Sequence, residues 1–159
     1  MPPGVPAPDF SLADERGNTI RMRALRGRAV VVAFLYTTCR DSCPIEAQLV
    51  RRALERLGDD AERVVALAVA VDPPRDTPAR ARRFLLDQKV VGRIRFVLGT
   101  RDQLEPVWRG FAVAPQTAES EHQARITLVD PRGMQRVGYN ATDDPEDMAR
   151  DLKVLLRGT

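Results

Sequence analysis

The sequence predicts an α/β fold, a three-layer sandwich in which helices cover both faces of a central sheet. Two apolar runs rich in β-branched residues, 29–36 (AVVVAFLY) and 63–72 (RVVALAVAVD), have the composition of strands buried on both faces. Amphipathic segments with helix-starting and helix-ending residues alternate with these runs. A strand pair and a closing helix follow at the end of the chain. Such an order of elements predicts an α/β sandwich with parallel strands joined by helical crossovers.

The first third of the chain predicts a hairpin, a buried strand and a helix. Residues 8–28 give two short strands around the turn 14–18 (DERGN), an N-terminal β-hairpin extension that precedes the buried strand 29–36. Pro44 fits the first turn of the helix that follows, and Gly58 ends it. The apolar stripe of this helix comprises Ile45, Leu49, Val50, Ala53, Leu54 and Leu57.

The rest of the chain continues the alternation. Thr77 caps a helix that begins at Pro78, and 93–99 (RIRFVLG) is a third strand. Residues 101–111 predict a short helix that is interrupted or ended near Pro106. A fourth strand (ARITLVD), a PRG turn, a partner strand (MQRVGYN) and a helix starting at Asp144 complete a sandwich of the thioredoxin type. We expect one domain over residues 1–159, with residues 1–8 as a frayed lead-in.

Composition excludes several classes of protein. The net charge of +3 comes from 25 basic and 22 acidic residues that are interspersed, and only 5% of residues are aromatic, so nucleic-acid binding is not expected. The longest apolar run is far shorter than the roughly 20 residues that span a bilayer. The first ten residues lack the basic and apolar regions of a signal peptide. The chain is therefore either cytoplasmic or a form trimmed of its leader.

The chain's only two cysteines, Cys39 and Cys43, lie in the segment YTTCRDSCPIEAQ, between the first buried strand and its helix. A helix N-terminus lowers the pKa of a cysteine, which favours nucleophilic attack and metal ligation alike. If the loop winds helically, four-residue spacing places the two Cα atoms roughly 6 Å apart, compatible with a disulfide and with two ligands of one ion. With 2 Cys in 159 residues, a structural disulfide is the least expected of these uses.

The available ligands favour copper over zinc. A closed structural zinc site needs four Cys or His ligands, but the chain has 2 Cys and 1 His, His122. Two thiolates and an imidazole suit three-coordinate Cu(I). The segment before the fourth strand, ESEHQARITLVD, carries His122 and lacks the proline that thioredoxin-like oxidoreductases place there.

Two other groups of residues have structural interpretations. Asp72, Arg75 and Asp76, in VDPPRDTP, predict a turn with ion pairs beside the Thr77 cap. Trp108 is expected in the core.

Three segments together resemble the Sco/SenC family of copper-binding, thioredoxin-like proteins: FLYTTCRDSCP, VAVDPPRDTP and HQARITLVDPRG. The resemblance covers about residues 8–157. It implies that Cys39, Cys43 and His122 bind copper, as Cu(I) and also as Cu(II). It further implies an assembly factor that receives copper from a donor protein and acts on the CuA site of cytochrome c oxidase subunit II. That factor would deliver copper, reduce the subunit's cysteines, or do both, outside the cytoplasmic membrane and anchored to it in the full-length form.

Three departures from the family pattern and two rival functions stay open. Arg40 replaces a frequent proline, the stretch from Phe111 to His122 is short, and the expected membrane anchor or lipidated leader is missing, which we attribute to truncation. The main rival is an enzyme, a thiol-disulfide oxidoreductase or a peroxiredoxin-like peroxidase, with Cys39 as nucleophile and Cys43 as resolving cysteine. A copper or redox sensor using the same site is the other.

Overall fold

A computed structural model describes residues 4–115 and 125–158, and within them it has the predicted α/β sandwich. The strands are β1 (Val5–Pro6), β2 (Ser11–Ala13), β3 (Thr19–Arg21), β4 (Ala29–Leu35), β5 (Val64–Ala70), β6 (Ile94–Val97), β7 (Arg125–Val129) and β8 (Met134–Tyr139). The helices are α1 (Ser42–Leu57), α2 (Pro78–Asp87), α3 (Arg101–Gly110) and α4 (Pro145–Arg157), with 3-10 turns at Met22–Leu25 and Gly58–Arg63.

The main sheet has the strand order β1-β8-β7-β4-β5-β6, with β4 near its centre. β4 pairs in parallel with β5 and antiparallel with β7, and all of its seven residues are buried. The continuous apolar run thus forms a strand covered on both faces, as predicted. The register pairs Leu35 with Ala70, so the chain leaves β4 and β5 side by side at one edge of the sheet. The functional loops start at that edge.

The N-terminal hairpin, β2 paired with β3, lies against the edge strand β6. The N–H of Leu98 donates to the Ala13 carbonyl at 2.9 Å, and the N–H of Phe96 donates to the Glu15 carboxylate at 2.9 Å. Asp14 also accepts a 2.9 Å ion-pair contact from Arg95. The predicted hairpin is confirmed, and it covers an edge that would otherwise expose unpaired backbone groups.

The helices follow the sequence pattern with two exceptions. Thr77 and Asp144 cap α2 and α4, as expected. Ile45, predicted on the buried stripe of α1, is 54% exposed. α3 runs through Pro106 to Gly110, so the prediction of a helix interrupted or ended there is wrong.

The continuity of α3 has a local cause. A capping box between Thr100 and Gln103 fixes its start, and its buried face continues on both sides of the proline. Trp108, in the core as predicted, donates its indole N–H to the Ala70 carbonyl at 2.8 Å. These contacts offset the one backbone hydrogen bond that Pro106 cannot make.

The lead-in is more ordered than expected. Val5 and Pro6 pair with β8, so the expectation of a frayed segment is wrong for these residues, whereas residues 1–3 lie outside the described part of the chain. Pro8 approaches Gly110 so closely that a Cβ at the glycine would lie 2.4 Å from its ring. None of the helices in the described ranges has the length and apolar composition that a membrane crossing requires.

Candidate functional site

The two cysteines lie where β4 gives way to α1. β4 ends at Leu35, α1 begins at Ser42, and Cys43 is the second residue of the helix. The loop between them contains a turn in which the N–H of Cys39 donates to the Tyr36 carbonyl at 3.1 Å. Cys39 is 8% exposed and Cys43 is fully buried. The predicted placement, past a strand end and at a helix start, is confirmed for both residues.

The two cysteines are free thiols in direct interaction. The backbone N–H of Cys43 donates to the sulfur of Cys39 at 3.3 Å, and the hydroxyl of Ser42 lies 3.8 Å from the same sulfur. A free N–H group of the first helical turn, that of Cys43, therefore points at Cys39, although Cys39 itself lies before the helix. This arrangement favours negative charge on the Cys39 sulfur.

The pKa values of the two thiols move in opposite directions. A hydrogen bond from the Cys43 thiol is the largest cause that lowers the pKa of Cys39 to about 5, helped by the Cys43 backbone N–H and the Tyr36 hydroxyl and opposed by burial. The same hydrogen bond and burial raise the pKa of Cys43. At neutral pH the pair holds one proton and one negative charge, with the thiolate on the more exposed sulfur. Such a pair suits nucleophilic attack by Cys39 and metal ligation by both sulfurs.

Tyr36, the first residue after β4, is a member of the site that the sequence analysis did not single out. Its hydroxyl hydrogen-bonds to the Cys39 sulfur, and burial together with that thiolate raises the pKa of the phenol. The phenol therefore remains a donor at neutral pH. Its position in the sequence, three residues before Cys39 in the same loop, could have indicated that it belongs to the site.

A second residue missed by sequence analysis is Glu46, three positions after Cys43 on α1. Its side chain is fully buried, and neither carboxylate oxygen has a hydrogen-bond partner among the described residues. Burial raises the pKa of Glu46 to about 9, and the charge of Cys39 adds to the rise; the nearby Arg125 backbone N–H opposes it without reaching hydrogen-bond geometry. Helical spacing could have indicated this burial, since Glu46 lies on the same face of α1 as the buried Val50 and Ala53.

A third buried group joins the cysteine loop to the loop after β5. The carboxylate of Asp76 accepts hydrogen bonds from the Thr37 N–H at 2.7 Å, from the Thr37 hydroxyl at 2.8 Å and from the Asp72 N–H at 3.0 Å. The predicted ion pair in this turn is confirmed for Arg75 and Asp72, at 3.2 Å. Asp76, by contrast, takes part in no ion pair within the described residues, which corrects the prediction for this position.

The third predicted ligand, His122, lies outside the described residues. Within the described ranges, no group of three or more Cys, His, Asp or Glu side chains is arranged to hold a metal ion. The two thiols nevertheless fit a soft ion such as Cu(I), because one is already a thiolate and the other is its direct neighbour.

Comparison with known proteins gives a consistent result. The SCO1/SenC family model matches residues 4–157. Protein sco1 of Schizosaccharomyces pombe is 28% identical over 158 residues, which cover 90% of this chain and 58% of that protein, so the chain spans less than two thirds of this relative.

Two solved structures carry the comparison further. The structure of Bradyrhizobium japonicum ScoI with copper bound superposes with a TM-score of 0.80 at 27% identity, over 95% of this chain and 99% of that one. BsSco, described as a Sco-family cytochrome c oxidase assembly protein with a disulfide switch, gives a TM-score of 0.85 at 21% identity, over 100% of this chain and 98% of that one. The predicted thioredoxin-like fold is thereby confirmed.

Proposed function

Because the chain belongs to the SCO1/SenC family, we propose that it binds copper through Cys39 and Cys43, with His122 as a third ligand. Copper would be cargo, passed by ligand exchange from a donor protein to the CuA site of cytochrome c oxidase subunit II. In this role the protein works outside the cytoplasmic membrane, anchored in its full-length form. The bound copper in the related ScoI and the oxidase-assembly role of the related BsSco support this proposal.

The observation that carries the proposal is the contact between the two cysteines. The sulfur of Cys39 accepts the Cys43 N–H at 3.3 Å, and the adjacent thiol of Cys43 stabilises the Cys39 thiolate. Two cysteines in direct contact can offer two soft ligands to one cation, and the lowered pKa of Cys39 means that one of them is ionised before the metal arrives. Oxidation to a disulfide would remove both ligands and release copper.

The test is a titration of the reduced protein with Cu(I) in competition with a chromogenic Cu(I) chelator. We expect one Cu(I) per chain, near-complete loss of binding in Cys43→Ser and a measurably weaker affinity in His122→Ala. Gln123→Ala, one position beyond the histidine, is the matched control and should bind as the wild type does. A His122→Ala protein with unchanged affinity would remove the histidine from the ligand set, and a wild-type protein that binds no Cu(I) would overturn the proposal.

A second function, thiol-disulfide exchange, is favoured by the unequal acidity of the thiols. The pKa of Cys39, about 5, makes it the attacking thiolate, and the buried Cys43 suits the resolving step. The Cys39 thiolate would attack a disulfide of subunit II and release one target thiolate. The Cys43 sulfur would then lose its proton, attack Cys39 and release the second target thiolate, so that two electrons and one proton pass from the pair to the target, and solvent supplies the second proton.

Thiol-disulfide exchange can be tested separately from copper transfer on protein from which copper has been removed. We expect chelator-treated protein to reduce the disulfide of an isolated CuA domain once per chain, and to fail to turn over peroxide. Rapid multiple turnover of a peroxide would favour the peroxidase alternative instead.

A further inference from the structure

Asp76 connects the two loops that leave the centre of the sheet. It lies in the turn after β5 and is 5% exposed, and its carboxylate accepts three hydrogen bonds. Oδ1 accepts both bonds from Thr37, which belongs to the loop after β4, and Oδ2 accepts the bond from Asp72 in its own turn. Thr37 and Asp76 are separated by 39 residues, so these bonds are a cross-link between the cysteine loop and the turn after β5, beside a 3.4 Å hydrogen bond from the Thr37 hydroxyl to the Arg75 carbonyl.

We infer that Asp76 is a positioning residue for the dithiol: its carboxylate holds the loop that presents Cys39 to Cys43. The inference rests on the proposed use of these cysteines in copper binding and thiol exchange. Thr37 stands inside the Tyr36–Cys39 turn, which the N–H of Cys39 closes at 3.1 Å. A carboxylate that fixes both the N–H and the hydroxyl of Thr37 therefore fixes the turn that carries the sulfur.

Two of the three hydrogen bonds of Asp76 join it to the cysteine loop and the third stays in its own turn, whereas the helix that follows is capped by another residue. The N-cap of α2 is Thr77, whose side chain accepts the Arg80 N–H at 3.2 Å. The neighbouring charge pair in the turn, between Arg75 and Asp72, involves a side chain of Arg75 that is 62% exposed. Asp76 is thus the buried acid of this segment that binds the loop before Cys39.

The contact that the loop must preserve is short. The Cys43 N–H reaches the Cys39 sulfur at 3.3 Å, and the Ser42 hydroxyl lies 3.8 Å from the same sulfur. Displacement of the loop by about 1 Å would lengthen hydrogen bonds of this kind beyond useful geometry. The two sulfurs would then have to be re-ordered each time they bind one ion or form a disulfide, which weakens both equilibria.

The variant that isolates this role is Asp76→Asn, because it keeps the size of the side chain. Two donors from Thr37 face one oxygen and the Asp72 N–H faces the other. An amide offers one acceptor and one donor, so in either orientation a donor of the protein faces the amide NH₂ and loses its bond. Asp72→Asn is the matched control, since it removes the same charge from the same turn while leaving the three bonds of Asp76 in place.

The experiment measures two equilibria on reduced, folded protein: Cu(I) affinity by chelator competition, and the dithiol-disulfide equilibrium against a glutathione buffer. For Asp76→Asn we expect Cu(I) affinity to fall by about tenfold or more and the dithiol-disulfide constant to shift by a similar factor. Asp72→Asn should match the wild type within about twofold. Ile20→Ala, a buried change in the N-terminal hairpin, should lower the melting temperature and leave both equilibria unchanged, which separates positioning from loss of stability.

The outcomes are distinct. A folded Asp76→Asn protein with wild-type copper affinity and a wild-type dithiol-disulfide constant overturns the inference. A wild-type protein that binds no Cu(I) overturns the proposed copper function instead. The dithiol-disulfide measurement then still tests the role of Asp76. If Asp76→Asn fails to fold, Thr37→Val replaces it as the test, because it loses the hydroxyl and keeps the backbone N–H. We expect a two- to threefold change in either equilibrium. Unchanged constants would contradict the inference.

Discussion

Two carboxylates are buried near the pair of thiols, Asp76 in the turn after β5 and Glu46 in the first turns of α1. They differ in the hydrogen bonds that they accept. Asp76 is 5% exposed and accepts three hydrogen bonds, whereas Glu46 is fully buried with no hydrogen-bond partner among the described residues. Burial raises the pKa of both acids, but the N–H and hydroxyl donors around Asp76 oppose the rise. Nothing comparable offsets it at Glu46, whose pKa reaches about 9.

The difference shows that the supply of donors, and not burial alone, decides the state of a buried acid. Asp76 is an anchor that accepts hydrogen bonds from the loop it fixes. Glu46 is a neutral acid at physiological pH, which keeps a second negative charge away from the Cys39 thiolate. Asp76 therefore stabilises the geometry of the site. Glu46 adds no charge, so the negative charge of the site stays on the cysteines.

The largest effect expected from this comparison is that of Asp76→Ala on stability. The change leaves one buried and two half-buried donors without their acceptor. A buried donor left without a partner costs about 1–3 kcal/mol, partly recovered by water that enters the vacated space. We expect the free energy of unfolding to fall by about 4 kcal/mol at pH 7, measured by urea denaturation of the reduced protein. Arg75→Ala, which removes only the exposed end of the neighbouring ion pair, should stay within about 1 kcal/mol of the wild type. A small loss in Asp76→Ala would mean that the loops are held by other contacts.

The next effect in size is a pH-dependent gain in Glu46→Gln. The pKa of Glu46 is about 9 in the folded protein against 4.5 as its ordinary value, so between these pH values the folded state keeps a proton that the unfolded state has lost. The contribution of Glu46 to stability therefore decreases as pH rises through this window, by up to about 1.4 kcal/mol per pH unit. Glutamine has the same size and no such proton. We expect Glu46→Gln to equal the wild type near pH 5 and to exceed it by about 2 kcal/mol at pH 7.

The measurement for Glu46 must be a difference between variants, because Cys39 titrates over the same range with the opposite sign. The lowered pKa of Cys39 makes its own contribution to stability increase with pH. That contribution is present in both proteins and cancels when wild-type and Glu46→Gln unfolding curves are subtracted at each pH. Glu55→Gln, an exposed change on the same helix, is the control for replacing a carboxylate by an amide. A flat difference for Glu46→Gln would show that the buried carboxyl ionises in the folded protein.

Sequence reasoning located the fold and the cysteines because local signals suffice for them. The β-branched runs of β4 and β5 indicate double-sided burial, and the placement of Cys39 and Cys43 follows from a strand end and a helix start. Local signals misled where packing decides the outcome. Pro106 is accommodated because the apolar face of α3 continues beyond it, and Ile45 is exposed although it fits the helical period.

The chemistry of the buried acids could not be predicted in the same way. The role of Asp76 depends on Thr37, 39 residues earlier, and only the parallel register of β4 and β5 brings the two together. In the sequence, the proline-rich turn around Asp76 suggests ion pairs just as well. Glu46 was within reach of helical periodicity, but an unpartnered buried carboxylate contradicts the general rule that buried polar groups are paired, and so its burial was not expected.

The smallest effect, Thr37→Val, resolves how the bond between the two loops is divided. Valine keeps the shape of the side chain and the backbone N–H that donates to Asp76 at 2.7 Å. It loses the hydroxyl, which donates to Asp76 at 2.8 Å and makes a longer contact, 3.4 Å, with the Arg75 carbonyl. A single hydrogen bond to a carboxylate contributes about 1 kcal/mol or slightly more, so we expect a loss of about that size in urea denaturation. Thr37→Ser retains the hydroxyl and should therefore recover most of the free energy of unfolding that Thr37→Val loses. Thr38→Val, at the exposed neighbouring position, should change the free energy of unfolding by less than about 0.5 kcal/mol. Equal stability of the valine and serine variants would assign the whole contribution of Asp76 to the backbone of the cysteine loop, and the carboxylate would then hold the loop through Thr37 and Asp72 N–H groups alone.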